Sequence, residues 1–302
     1  VIATAALGLA RAIGGLSAGA AAIALGLVAG STTPARTRLE PGIKRAAAGV
    51  LGLAIALMGL TIPLSGLPSI PALAGLATAM LITLGVAALL GRAFGLGLDG
   101  GLLGGMGSAV CGSAAIAASS GVLRSSASLV AAALASVNLL SALGMLLLPA
   151  LAHAMGLDDN TAGWWTGGSL QAVGQAVGAG FAFSPAAGET ATAVKLFRVT
   201  MLLPLLLAIG LATGRRRRAS VPWFVPGFVL GTVIVAIFGE QEWATPVVGG
   251  LLAVALAGIG AMIRPRTLLA QGPRMLLLCV LAFLVQFAGV LLILGLGLAD
   301  WS

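Results

Sequence analysis

The run Gly107-Ser108-Ala109-Val110-Cys111-Gly112-Ser113 sets two hydroxyls, a thiol and two glycines inside an otherwise apolar stretch. Each glycine in a helix interior costs roughly 1 kcal/mol against alanine, so a helix is expected to break here. In a bilayer the freed N–H and C=O groups are tolerated only when protein buries them or a polar cavity solvates them. The break therefore offers a polar ligand four candidate contacts, Ser108, Cys111, Gly112 and Ser113. Close helix packing through small residues is the competing reading.

Three further stretches extend that chemistry. In Ser169-Leu170-Gln171-Ala172-Val173-Gly174-Gln175 the two glutamines stand four apart, on one helix face. Their amides donate and accept without adding charge, which suits an oxyanion or a polar ligand, with interhelical hydrogen bonds as the alternative. Lys195 and Arg198 share a face at the start of an apolar segment. Turned inward they favour an anion, since a cation at mid-membrane costs about 2.5–3.5 kcal/mol and marks function; snorkelling to the outer interface is the other reading. Leu256–Met262 holds Gly258 and Gly260 and is expected to be a second broken helix opposite the first.

Other chemistries lack their residues. The sequence has no P-loop, no HExxH and no Cys or His cluster at metal-ligand spacing, so neither a metal nor a cofactor is expected. A nucleophilic Ser108 or Ser113 has no evident base, and the protein is not expected to be an enzyme. Cys111 and Cys279 form no redox motif. His153 reads as a surface or interface residue. No carboxylate falls clearly inside a span, so an acidic Na⁺ or H⁺ site is not visible.

The elements that must position these residues are membrane helices. Of 302 residues 59% are hydrophobic and 8% charged, with mean hydropathy +1.12, against about 25% charged in soluble chains. Continuous apolar runs exclude a membrane β-barrel. The fold class expected is all-α and polytopic, with about ten to eleven transmembrane helices. After a partial helix at 1–11, spans are expected near Gly15–Gly30, Ala46–Leu64, Ile70–Leu90, Gly101–Val122 and Ser128–Met155. Five more are expected near Gly163–Phe183, Ala193–Thr213, Pro222–Phe238, Pro246–Met262 and Met275–Leu298. The whole chain reads as one transporter-like domain of two inverted five-helix repeats, 12–156 and 157–302, with the fourth span of each broken.

The net charge of +8 follows from loop arginines and lysines, not from a nucleic-acid surface. Alternate loops carry twelve Lys and Arg on one side and four, Arg11, Arg124, Lys195 and Arg198, on the other. The positive-inside rule makes the first side cytoplasmic and the C-terminus periplasmic. Asp158 and Asp159 fall on the basic side as an exception. Trp164, Trp165, Trp223, Trp243 and Trp301 stand near span ends, as an interfacial belt requires.

Gly104–Ser125, GGMGSAVCGSAAIAASSGVLRS, resembles the G-x-S-I-C-G-A-[SA]-A motif of the YeiH-type sulfate-exporter family of bacterial inner-membrane proteins, with Ala109 replacing its Ser. Gly163–Pro204, with GGSLQAVGQAVGAG and VKLFRVTMLLP, extends the resemblance. That family is grouped with the bile acid, arsenite and riboflavin transporters. The resemblance implies an inverted five-plus-five fold with crossed broken helices and movement of small sulfur-containing or organic anions. One departure stands out: where the family has His-Glu, this chain has Gln171-Ala172, so a protonatable pair is missing.

The expected function is a secondary transporter of a small anion, sulfate, sulfite or sulfonate-like, across the bacterial inner membrane. Its site is expected to combine Ser108, Cys111, Gly112 and Ser113 with Gly258 and Gly260 opposite, and with Gln171, Gln175, Lys195 and Arg198. The partners expected are the anion, the bilayer, an Na⁺ or H⁺ coupling ion and other copies of the chain. The alternatives are a Na⁺-coupled organic-anion symporter and a non-transporting membrane scaffold or receptor.

Overall fold

The computed structural model describes residues 21–22, 25, 28, 49–61, 68–213, 223–239, 241, 243–262 and 273–299, and every regular element among them is helical. In chain order these are α1 (Gly49–Met58), α2 (Ile70–Ala93), α3 (Gly97–Met106), a π-helical turn (Gly107–Cys111), α4 (Ser113–Leu123) and α5 (Ala127–Ala154). There follow α6 (Asp159–Ser169), α7 (Val173–Phe183), α8 (Pro185–Thr200), α9 (Leu202–Ala212), α10 (Phe224–Phe238), α11 (Ala244–Met262) and α12 (Pro273–Gly295). Ile70–Ala93, Ser128–Ala154, Pro185–Ala212 and Pro273–Gly295 are long and apolar enough to cross a membrane. They present Leu81, Leu89, Leu147 and Leu292 outward, each more than half exposed, as lipid-facing helices do.

Local chemistry starts the long helices. Ser69 accepts from the Ala72 N–H and Ser126 from that of Leu129. Ser184 caps α8, with Pro185 behind it in the first turn, where a missing N–H costs nothing. This start sets α8 eight residues ahead of the expected Ala193, and it brings Glu189 into the span.

Two expected spans do not cross. From α2 the chain turns back, and α3 runs antiparallel to it, with Gly101 against Ala87 and Ala88 and Gly105 against Leu84. Then α4 reverses again, so that Gly107 packs on Ile116. The next helix, α5, runs parallel to α3, with Leu129 near Gly100 and Val137 near Gly107. Thus α3 and α4 form a helical hairpin that leaves and rejoins the same end of the bundle. A second hairpin, α6 and α7, comes from the other end. Gly163 and Gly167 place α6 parallel to α8, beside Thr190 and Ala191, whereas Gly180 brings the returning α7 back to Ala187 and Ala191.

The antiparallel pair α2 and α12 fixes which end is which. Arg274 at the start of α12 lies beside Gly95, and Ile293 beside Gly75. Leu298 and Ala299, just past α12, accept from Ser69 Oγ at 3.2 Å and from Asn160 Nδ2 at 2.9 Å. The first hairpin therefore opens where α12 begins and the second where α12 ends. Along α12 their inner parts meet Leu278, beside Gly104, and Val290, beside Gly168.

The break expected at Leu256–Met262 does not occur. Helix α11 is continuous through Gly258 and Gly260 to Met262, because a cost of roughly 1 kcal/mol per glycine is too small to break a helix that nothing else interrupts. The second break is at Leu170–Ala172, whose ends have extended backbone. Breaks thus fall in the fourth and sixth expected spans, not the fourth and ninth. Trp164 and Trp165 depart from the interfacial belt as well: they are 0% and 6% exposed, Trp165 meeting Phe287 of α12 edge to face, while Trp223 and Trp243 are exposed and Trp301 lies outside the described residues. His153 stacks on Phe183 with ring centroids 4.1 Å apart.

Candidate functional site

The two hairpin tips meet in the middle of the bundle. Gly112, at φ 67° and ψ −124°, ends the π-helical turn in a conformation open to glycine, and its Cα faces the backbone of Ala172 in the other tip. At each tip one half-helix ends, leaving carbonyls without helical partners, and another begins, leaving N–H groups. What satisfies these two kinds of group defines the site.

Two cations on α8 hold the carbonyl ends. Lys195 Nζ donates to Val110 O at 2.8 Å in the first hairpin and to Leu170 O at 2.7 Å in the second. Arg198 Nε donates to Ala109 O at 3.0 Å and Nη2 to Ser108 O at 2.8 Å, while Nη1 reaches Gly167, Gly168 and Leu170 O at 3.1, 2.7 and 2.8 Å. Both side chains are completely buried, which decides against snorkelling. Their donors point at backbone oxygens, so they staple the hairpins together. The break at Leu170–Ala172, which contains neither Gly nor Pro, exists because these cations take the place of the lost helical hydrogen bonds.

The N–H ends are held from α5. Asn138 Oδ1 accepts from Ser113 Oγ at 2.8 Å, at the start of α4. Three residues on, Ser141 Oγ accepts from Ala172 N at 3.1 Å, ahead of α7. Neither Gly112 nor Ala172 supplies a capping side chain, so first-turn N–H groups of α4 and α7 other than that of Ala115, from which the Cys111 sulfur accepts, stand beside the tips without a described side-chain acceptor. Gln286 on α12 donates to Gly168 O at 3.2 Å and accepts from Thr83 on α2 at 3.1 Å, bracing the second hairpin from behind.

Around this junction buried polar atoms stand without protein partners among the described residues: Ser108 Oγ, Ser169 Oγ, and both Oε1 and Nε2 of Gln171, a residue with no exposure. Leaving such a group unsatisfied costs about 1–3 kcal/mol. Gln175, in the first turn of α7, and Ser113 are partly exposed; Gln171 stands in the extended break before α7, so the two glutamines do not share the helix face their spacing predicts. Cys111 is a buried free thiol at the first tip. The junction thus gathers Ser108, Cys111, Gly112, Ser113, Gln171, Gln175, Lys195 and Arg198. Gly258 and Gly260 lie on α11, which packs against the second hairpin through Leu256 and Ala257 in one cluster with Leu170 and Ala176.

The electrostatic balance at the junction is positive. Arg198 brings a positive charge and Lys195 a second basic group, and no carboxylate among the described residues pairs with them. The two half-helix C-termini offset roughly half a charge each, and the N-termini of α4 and α7 add back roughly as much. An anion at the tips would meet backbone donors, amides and an uncompensated positive field. Among the described residues no cluster of His, Cys, Asp or Glu suits a metal ion.

The sequence reading does not single out Asn138, Ser141 and Gln286, although each is an isolated amide or hydroxyl in an apolar helix; Glu189, near enough in sequence to neutralise Lys195 or Arg198, lies inside α8, whose start is expected later, at Ala193.

The family described as conserved hypothetical protein 698 matches residues 1–279. Curated relatives are named UPF0324 membrane proteins. The TauZ protein of Paracoccus denitrificans is 34% identical over 243 residues, which cover 72% of this chain and 70% of that protein. TauZ of Paracoccus pantotrophus is 37% identical over 62% of this chain and 59% of its own length. A Pseudomonas putida relative is 36% identical over 61% of this chain and 57% of its own. The chain thus spans less than two thirds of the latter two proteins. No solved structure matches it.

Proposed function

Because this chain belongs to the conserved hypothetical protein 698 family, with UPF0324 membrane proteins as relatives, we propose that this multi-pass membrane protein is a secondary transporter. Its cargo is a small anion, sulfate, sulfite or sulfonate-like, carried across the bacterial inner membrane by alternating access. It binds and moves its substrate without transforming it. The observation that carries this reading is the meeting of two hairpins from opposite ends of the bundle at a buried, positively charged junction with spare donors. Broken helices at the midplane between inverted units are the plan of many secondary transporters, and half-helix N-termini suit anions. The resemblance to the YeiH-type exporters supports the choice of sulfur oxyanions.

Lys195 and Arg198 act on the anion through their field, and direct contact falls to the N–H ends of α4 and α7 with Ser113, Asn138, Gln171 and Gln175. The test is uptake of radiolabelled sulfate, sulfite and methanesulfonate into proteoliposomes. Gln175→Leu and Asn138→Leu are expected to lower uptake by about tenfold each, since a hydrogen bond to a charged group is worth about 1.5–3 kcal/mol. Uptake equal to the wild type in both variants, or none of the three anions moved by the wild type, excludes this reading.

A further inference from the structure

Each residue of the break Leu170–Ala172 has a different fate. The Leu170 carbonyl accepts from Lys195 Nζ and Arg198 Nη1, and the Ala172 N–H donates to Ser141 Oγ. Gln171, between them, is sealed from solvent, and neither its Oε1 nor its Nε2 meets a protein partner among the described residues. Two sealed hydroxyls share that state, Ser169 Oγ and Ser108 Oγ. All three residues stand at or beside carbonyls that the one Arg198 guanidinium holds, those of Leu170, Gly168 and Ser108. Buried polar side chains nearly always find a partner, so three unpartnered ones around one guanidinium point to a ligand that completes them. Their burial means that the ligand reaches them in an opened conformation, as alternating access requires.

Counting donors against acceptors narrows that ligand. A hydroxyl donates or accepts as required, but an amide presents both kinds of group, two N–H bonds on Nε2 and a carbonyl at Oε1. Whichever way the Gln171 amide is turned, one end needs a donor. The nearby protein donors are aimed elsewhere, Lys195 and Arg198 at backbone carbonyls and Ser113 at Asn138. A sulfate dianion or a simple alkylsulfonate brings acceptor oxygens alone. It serves Nε2, the two hydroxyls and the N–H ends of α4 and α7, but leaves Oε1 buried and unpaired, which weakens binding.

We infer that the cargo is a hydroxyalkanesulfonate, an anion with a hydroxyl donor on an arm apart from its sulfonate, and that Gln171 reads the hydroxyl. The inference rests on the transport reading above. The sulfonate keeps three oxygens as acceptors for Nε2, Ser108 and Ser169, while the hydroxyl serves Oε1. Hydrogensulfite would give up one of its three oxygens to carry the proton. An ammonium in place of the hydroxyl would meet the field of Arg198, which stays charged when buried. Gln171 is thus a specificity-determining residue, and Arg198 fixes the hairpin backbones around it.

Initial rates of uptake of 2-hydroxyethanesulfonate and propane-1-sulfonate into proteoliposomes test this, because the two anions carry the same charge and differ by a hydroxyl in place of a methyl group. Wild type is expected to favour the hydroxyl-bearing anion by about tenfold or more, the factor that one unpaired buried acceptor produces. In Gln171→Leu and Gln171→Met the ratio should fall to near one, with uptake of propane-1-sulfonate kept or raised. A merely structural role for Gln171 would lower both rates and leave their ratio. Unfolding temperature in detergent identifies the variants that fold. Equal rates in wild type, or a preference for propane-1-sulfonate, overturn the inference and leave anion transport standing, whether or not a variant folds. A wild-type preference that survives in a folded variant overturns the assignment to Gln171. A wild type that moves no anion, sulfate, sulfite and methanesulfonate included, overturns both readings together.

Discussion

Arg198 carries more of the junction than any other residue. It fills five carbonyl contacts from both hairpins, and Arg is suited to this by its planar fork of donors that stays charged when buried. Removing it leaves the Ser108, Ala109 and Gly167 carbonyls without side-chain donors, while Leu170 keeps Lys195 and Gly168 keeps Gln286. Arg198→Ala is therefore expected to destabilise the folded protein by about 3–5 kcal/mol, the scale for breaking a buried charged network. A lowered unfolding temperature in detergent checks it, and an unchanged one would show the carbonyls to be satisfied by other means. Sequence spacing already set Lys195 and Arg198 on one face. It could not say what they touch, because their partners are backbone oxygens 25 to 90 residues away.

At the scale of elements, the second hairpin depends on how its first arm begins. Asp158 caps α6, accepting from Thr161 N at 3.0 Å and from its hydroxyl at 2.6 Å. The Thr161 hydroxyl, followed by its backbone N–H, holds the Asp158 carboxyl below its ordinary range. A depressed carboxyl contributes stability above its unfolded pKa and loses it as pH falls through the folded value. Asp158→Ala should thus cost about 1 kcal/mol at neutral pH, as lost caps do, and the gap to wild type should close in acid. Thermal unfolding of both proteins from pH 7 down through the carboxylate range measures it, and a gap constant with pH would refute the cap. Caps such as Asp158 and Ser184 rest on local chemistry, yet the span starts expected at Gly163 and Ala193 pass both over. The break at Leu170–Ala172 is not legible in the sequence, because its cause is α8. The glycines of α11 misled for the converse reason, since weak propensity without a competing partner leaves a helix intact.

For the whole molecule, folding back two segments changes which ends share a side. Arg124 follows a hairpin that returns to its own end, so it joins Arg92 and Arg274; Asp158 and Asp159 fall at the opposite end. Three of the four basic residues that broke the charge pattern are thereby accounted for, Lys195 and Arg198 being interior, and the acidic exception disappears. Arg11 lies outside the described residues. In the proposed orientation the basic end is cytoplasmic. Single cysteines placed by Gly95→Cys, Ser125→Cys and Gly156→Cys in a protein freed of Cys111 and Cys279 test this. An impermeant thiol reagent should label positions 95 and 125 from one side and 156 from the other. Labelling of 95 and 125 from opposite sides would mean that α3 and α4 cross. Hydropathy found these segments and their polar interruptions, but it cannot distinguish a crossing from a return, because both require about twenty apolar residues.

The two contacts that α5 makes with the tips are separated by three residues, Asn138 to one hairpin and Ser141 to the other. A helix advances about 100° per residue, so a single residue gained or lost between them would swing one contact away while leaving both hairpins intact in themselves. The interval from 138 to 141 is therefore a stretch in which descent tolerates substitution but not a change of length, and related chains that share this architecture should align through it without a gap.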